Sequence, residues 1–460
     1  MNNSMKKAFF VFIAIFYSLA YAEETPSFDF SPVTEENISL VLYDTETHKN
    51  VLSINADKPF LYASNLKLLT SAAVLKHLGG GFKFLTKFSF DAESGTLHIK
   101  AGGDPEMVVE KLWVVASDLK RLGVKGIKKV VVDDFLYGKK SALTAESGDK
   151  GDNGYLAFIS PLSLNYNAIA IFIKAKEAAQ PVEVSLSTPS SYFSVKNTAT
   201  GTPDGNNQLV VGAQKAGNQT EIVIKGSLGE ARTKHEAVFK RVADPTRYYI
   251  VTLLNLMGEN EETPIERAQL EDSFFTAKER INFTYKSNPL RDIIRTMNLY
   301  SSNFIADSLQ FYLGATLRGD VKQGVEILKE FAKNELNETI DIVNGSGLGN
   351  DKNYLTGNFY IKLLQNVFSD YYGSIDFFSS LPVMGEDGTL KRANTNSENS
   401  GLVRGKTGSL TGVAALSGIM KAKSGKLYLF AFAINGFPSK SFKPMWALRD
   451  RVMNEIWEKY

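Results

Sequence analysis

Ser64 and Lys67 stand three residues apart in Ser64-Asn65-Leu66-Lys67, a spacing that puts both side chains on one face of a helix. Serine is a weak nucleophile at its own pKa and needs an adjacent base. A lysine can be that base only when desolvation or a nearby cation lowers its pKa. Two later runs carry the same kinds of group, Ser301-Ser302-Asn303 and Lys406-Thr407-Gly408. Lys406 is the candidate cation, and the amides of a helix starting at Ser64 would stabilise an oxyanion. Together these residue types support acyl transfer through a serine ester.

Each run alone has an ordinary structural meaning. A serine ahead of an apolar helical stripe is an N-cap, Ser-x-Asn is capping or loop sequence, and Lys-Thr-Gly is a strand running into a turn. Their order and placement give them weight. Ile38 to Asn55 reads as a β-hairpin, and Leu68, Ala72 and Leu75 continue a helix from Ser64 to the glycines at 79 and 80. Ser301 falls where two helical segments meet, the second running from Asn303 to Leu317. Lys406 lies on a strand, followed by Val413 to Met420 and Leu427 to Ile434 as antiparallel neighbours. The chain closes on Met445, Leu448, Val452 and Ile456, a helical stripe that should pack on that sheet.

Other chemistries fail on the residues present. The four histidines include His235-Glu236, which lacks the second histidine of a zinc peptidase helix, and there is no Gly-x-Ser-x-Gly elbow. Gly401 to Thr407 has one residue too few between its glycines for a phosphate-binding loop. With no cysteine, thiol nucleophiles and cysteine zinc sites are excluded. No cofactor or metal is expected.

Lys6 and Lys7 precede an apolar run from Ala8 to Tyr17 and then Ala20-Tyr21-Ala22, the pattern of a cleaved signal peptide over residues 1–22. The run is shorter than the roughly 20 apolar residues of a membrane span, so no integral membrane anchor is expected. The mature chain would begin at Glu23 and carry 50 basic and 50 acidic residues, a balance that argues against a nucleic-acid partner. Export without cysteine fits a bacterial periplasm. A homo-oligomer is compatible with the sequence. Between Phe82 and about Leu290, short β-rich pieces alternate with polar stretches, as one or two inserted domains would.

The ordered set Ser-x-x-Lys, Ser-x-Asn and Lys-Thr-Gly is that of penicillin-binding proteins and class A β-lactamases. The flanking residues Ala63 to Ala73, Gly102-Gly103-Asp104-Pro105, Asn344-Gly345-Ser346-Gly347-Leu348 and Leu381 to Leu390 make the chain resemble the penicillin-binding protein 4 type of D-Ala-D-Ala carboxypeptidase. That resemblance covers nearly all of the mature chain. The 237 positions from Ser64 to Ser301 also match it, since the family carries a large insertion there.

The resemblance implies a mixed α/β fold: a β-lactamase/transpeptidase-like domain, an antiparallel sheet flanked by helices, at residues 23–84 and 285–460. A second domain at 85–174 and 236–284 would interrupt it, and a small β-rich third domain at 175–235 would be nested in the second. It also implies roles. Ser64 would be acylated by a peptidoglycan stem peptide, or by a β-lactam antibiotic as covalent inhibitor, with Lys67 as base. Ser301 would relay a proton to the leaving amine, Asn303 would bind the substrate amide, and Lys406 would set the local field. Thr407, Gly408 and Ser409 would line the substrate, Thr407 helping hold its terminal carboxylate and the amides of Ser64 and Ser409 forming the oxyanion hole. Asp149 or Asp152, just before Tyr155, falls where the family places an acidic reader of the cross-link amino acid; a solvated acidic loop is the other reading.

The sequence departs from the wider pattern at Ser302, Asn344 and Ser409, where aspartate, aspartate and threonine are frequent. Two alternatives share the machinery or its shape: a β-lactamase, for which Glu330 and Asn334 form a Glu-x-x-x-Asn inside a predicted helix, and a non-catalytic wall-binding or penicillin-sensing protein. The balance of carboxypeptidase and endopeptidase activity stays open at this level.

Overall fold

A computed structural model describes residues 28–460 apart from 141, 147–150, 176, 204–206, 230–235, 350–351, 395–397 and 439–441. The expected signal peptide at 1–22 and Asp149 lie outside the described residues. The fold is mixed α/β. The early and late parts of the chain share a five-stranded antiparallel sheet of β1 (Ile38–Asp44), β2 (Lys49–Ile54), β3 (Val403–Leu410), β4 (Val413–Lys421) and β5 (Leu427–Asn435), in the spatial order β3-β4-β5-β1-β2. The hairpin read from Ile38 to Asn55 is β1 and β2, and the late antiparallel pair is β4 and β5.

Strand alternation assigns the two faces. Along β5, Phe430, Phe432 and Ile434 join Leu40, Leu42 and Leu416 on one side, where the C-terminal helix lays down Met445, Leu448, Val452 and Ile456 as its stripe requires. Leu429, Ala431 and Ala433 face the other side, and the two alanines leave room for the helical layer. That layer includes α1 (Lys67–Leu78), α2 (Leu290–Tyr300) and α3 (Asn303–Arg318). The first eight residues of α1, Lys67 to Val74, are all buried, so the lysine of the first motif enters the core with its helix. Burying a leucine or phenylalanine side chain there is worth roughly 1.5–3 kcal/mol.

The middle of the chain forms sheets of its own. One has five strands in the order Ile265–Arg267, Lys129–Asp133, Thr96–Lys100, Leu85–Asp91 and Ile281–Lys286, so residues on both sides of the long insertion close it. Another runs Glu236–Arg241, Ala168–Lys174, Glu183–Leu186 and therefore crosses position 175. A three-stranded sheet of Val210–Ala216, Gln219–Lys225 and Phe193–Asn197 lies beyond it. One apolar cluster joins them, running from Phe88, Ile99 and Val130 through Ile171 and Tyr248 to Ile222. No helix among the described residues is long and apolar enough to cross a membrane.

Candidate active site

Ser64 does not cap α1 as its position suggests. It lies inside a 3-10 turn, Ala63–Leu66, that follows the short strand Phe60–Leu61, and no side chain caps either helical segment. The turn begins with Ala63 at φ 50, in the left-handed region where a side chain costs on the order of 1–3 kcal/mol. Neighbours hold it there. Asn65 N–H donates to the Tyr62 carbonyl at 3.1 Å, and Asn65 Nδ2 donates to Ser417 Oγ on β4 at 2.8 Å. Two glycines let other backbone segments close on this turn. A Cβ on Gly408 would sit 2.1 Å from the Tyr62 carbonyl oxygen, and one on Gly347 the same distance from that of Ala63. The glycine of Lys406-Thr407-Gly408 is thus what allows the edge strand β3 to approach the serine.

Lys67 Nζ is fully buried and makes three contacts: Ser64 Oγ at 2.9 Å, Asn303 Oδ1 at 2.8 Å and the Ser346 carbonyl at 2.7 Å. Two of these partners only accept, so they orient two N–H bonds. The third is a hydroxyl, which can instead donate to a neutral amine's lone pair. Burial lowers the Lys67 pKa to about 7 against the opposing pull of Asp307, a buried carboxyl one helical turn beyond Asn303. Burial likewise pushes Asp307 above the ordinary carboxylate range. A lysine so placed is a base near neutral pH.

Ser301 ends α2 in the left-handed conformation, φ 55, and Ser302 caps α3 by accepting Ile305 N–H at 3.2 Å. This tight reversal turns Ser301 toward β3 while starting α3 with Asn303 toward Lys67. Lys406 Nζ, fully buried, donates to Ser301 Oγ at 2.9 Å and to the Thr407 carbonyl at 2.7 Å. Its pKa is pushed well below the usual lysine value by burial and then by the Lys67 charge. Two amine–hydroxyl pairs result, Lys67 with Ser64 and Lys406 with Ser301, and both serines line one cleft.

Thr407 is nearly buried and donates its hydroxyl to Thr389 Oγ1 at 2.7 Å, while Ser409 is exposed. Ser64, Ser301, Thr407 and Ser409 all line one cleft of about 670 Å³, walled by Thr389 and Trp446. On the far side of Ser301 a second hollow, about 1050 Å³, is lined by Asn303, Tyr155, Tyr166, Phe239 and Tyr300.

Asp152 is not brought to either hollow. Lys240 Nζ donates to its Oδ1 at 2.6 Å and Ala213 N–H to its Oδ2 at 2.7 Å, so both oxygens are engaged; hydrogen bonding to these partners outweighs desolvation and holds its pKa down. Its neighbours Asn153, Gly154 and Tyr155 line the larger hollow instead. Glu330 lies on the helix Gln323–Leu336, paired with Arg318 at 2.6 Å.

Sequence reasoning did not single out Ala63, Asp307 or Thr389. A lone alanine, aspartate or threonine carries no pattern, and the acid's place one turn after Asn303 is the only signal for Asp307. Asn344, a departure from the commoner aspartate, uses its amide hydrogens on the Glu146 and Leu348 carbonyls at 2.6 and 2.8 Å and accepts Gly347 N–H at 2.8 Å. An ionised aspartate has no hydrogens to donate there. This asparagine shapes the turn that presents the Ser346 carbonyl to Lys67.

A curated D-alanyl-D-alanine carboxypeptidase of Actinomadura sp. (strain R39) is 26% identical over 432 residues, spanning 88% of this chain and 79% of that relative. The penicillin-sensitive carboxypeptidase A of Dictyostelium discoideum is 24% identical over 415 residues, 81% of this chain and 76% of its own length. In three dimensions the chain is similar to the crystal structure of penicillin binding protein 4 from Haemophilus influenzae, with a TM-score of 0.73 at 19% identity over 92% of this chain and 96% of that one. The same Haemophilus protein in complex with a β-lactam matches with a TM-score of 0.71. The family model for the D-Ala-D-Ala carboxypeptidase 3 (S13) family matches residues 28–450, and the chain belongs to that family of serine peptidases.

Proposed function

We propose that this chain hydrolyses D-Ala-D-Ala peptide bonds of peptidoglycan through an ester on Ser64. Neutral Lys67 takes the Ser64 proton as Oγ attacks the penultimate D-Ala carbonyl. The amides of Ser64 and Ser409 hold the oxyanion, and Asn303 holds the substrate amide on the acyl side. Ser301, hydrogen-bonded to Lys406, passes its proton to the leaving amine as the C–N bond breaks and takes in exchange the one Lys67 received, which leaves Lys67 neutral for the next step. Thr407 helps hold the carboxylate of the departing residue. Water then attacks the ester, giving a proton to Lys67, which passes it to Ser64 Oγ as the acyl C–O bond breaks, freeing the acid and restoring the serine. A penicillin follows the same first step and stays attached.

The observation that carries this reading is the buried Lys67 amine, 2.9 Å from Ser64 Oγ with its pKa lowered to about 7. The signal-like segment at residues 1–22 supports action in the periplasm, where the substrate is. Asp152 has no part in this scheme, because its carboxylate is occupied.

The test is a fluorescent penicillin added to the purified chain and to Ser64→Ala. A covalent adduct is expected in the first and none in the second. Label persisting on the variant would remove Ser64 from the mechanism; no label on either would favour a wall-binding protein.

A further inference from the structure

The cleft beside Ser64 is larger than its chemistry requires. Removal of a terminal D-Ala needs room for one small residue past Thr407, yet the cleft extends about 670 Å³, to the C-terminal helix Phe442–Lys459. Hollows of several hundred Å³ hold ligands far larger than one alanine. Its outer wall is also charged in one sense. Lys391, Arg392 and Lys443 are exposed on it, and none has a carboxylate within ion-pair distance among the described residues. The one acid in the lining, Asp450, accepts from Arg449 through Oδ1 at 2.5 and 2.7 Å, and that guanidinium offsets its charge. Trp446, 41% exposed, lines the same cleft. In a chain with 52 basic and 50 acidic residues, three unpaired cations on one wall are a local imbalance.

The direction of the cleft says which part of a substrate would occupy it. Asn303 and the aromatic hollow lie on one side of Ser301, and Thr407 and Ser409 on the other. Under the mechanism above, the first side holds the acyl portion and the second the departing amine. We infer that the wall of Lys391, Arg392, Lys443 and Trp446 is a subsite for an anionic leaving strand, the second stem peptide of a cross-link with its free carboxylates. The inference rests on the proposed function and specifies it: the cleft is shaped for opening cross-links, with terminal D-Ala filling only its inner end. Cations convert such carboxylates into affinity that salt weakens.

The experiment compares two peptide dimers, one with free carboxylates on the leaving strand and one with those groups amidated. For the unmodified enzyme, kcat/KM should favour the free-carboxylate dimer, and the preference should shrink as salt is raised. In the triple variant Lys391→Glu, Arg392→Glu, Lys443→Glu the preference should fall by roughly tenfold or more, three exposed pairs of ordinary strength. A fluorescent penicillin adduct in the same samples reports that the site is folded. The salt series on the unmodified enzyme tests the idea without any substitution. Equal cleavage of both dimers at low salt, with the adduct formed, would overturn the subsite and leave the nucleophile standing. Absence of the adduct from the unmodified enzyme would instead strike the proposed function itself.

Discussion

In the inserted β region, several buried charges are met by opposite charge, although Asp104 is not and burial raises its pKa to about 6. Asp134 has no exposed side-chain surface and takes Arg267 at 2.6 Å, Glu106 takes Lys111 at 2.7 Å, and Lys240 takes Asp152 at 2.6 Å. In the catalytic half, Lys67 and Lys406 are as deeply buried, yet among the described residues they touch only hydroxyl, amide and carbonyl oxygens. A matched charge is stable as a charge. Burial disfavours an ammonium, and it shifts both lysines downward, with the Lys67 charge adding to the effect on Lys406 and Asp307 opposing it at Lys67. These pairs in the inserted region hold structure, whereas burial in the catalytic half favours the neutral amine that the proposed mechanism needs.

The sharpest way to break this contrast is Lys67→Met. Acylation by penicillin should slow by about 10²–10⁴-fold, the usual range for a lost general base. Thermal stability should change little, because the desolvated amine is replaced by an apolar side chain of similar length, while Asp307 loses a nearby cation and takes up a proton more readily. A stopped-flow acylation rate and a melting curve give both values. A large drop in melting temperature would mean Lys67 is structural.

The pH profile is the next largest effect. Acylation should climb as pH rises through about 7, up to tenfold per unit on the lower limb, because only the neutral Lys67 accepts the serine proton. Stability carries the same sign. The folded pKa lies below the ordinary value of 10.5, so between about 7 and 10.5 the unfolded chain binds more protons, and this group's contribution to stability grows with pH across that window. Urea unfolding of the parent chain and of Lys67→Met at pH 7 and pH 9 should show the slope in the parent and less of it in the variant.

Arg267→Met makes the opposite test. It leaves Asp134 buried with Thr246 Oγ1 as its remaining side-chain donor, at 2.6 Å. A loss of about 1–3 kcal/mol is expected, with the acylation rate per folded molecule unchanged. A slowed rate would show that the two regions are coupled. The smallest effect belongs to Asp152→Asn, which keeps one acceptor for Lys240 and should cost about 1 kcal/mol or less. Its cleavage pattern on muropeptides should match the parent's. A changed pattern would make Asp152 a reader of substrate despite its two partners.

Much of this site was legible before the fold was known. The order of Ser64, Lys67, Ser301, Asn303 and Lys406, the hairpin before the serine, the helix junction at Ser301 and the strand under Lys406 all rest on local residue type and spacing. Asp152 shows the limit of such reading: the sequence places an acid near Tyr155, but Lys240, 88 positions later, decides what the acid does. Ser64 shows another, since the N-cap preference of serine yielded to a turn imposed by Ala63 and the glycine contacts from Gly347 and Gly408.

Residue type and spacing lay out the reactive groups and the elements that carry them, because periodicity, capping and turn chemistry act over a few residues. Which of those groups are charged, paired or free depends on contacts that form when the chain folds. Lys67 meets Asn303 across 236 positions and Ser346 across 279, and its pKa follows from the burial those contacts create. Desolvation and Coulomb energy depend on distance in space, and the chain sets those distances only when it folds.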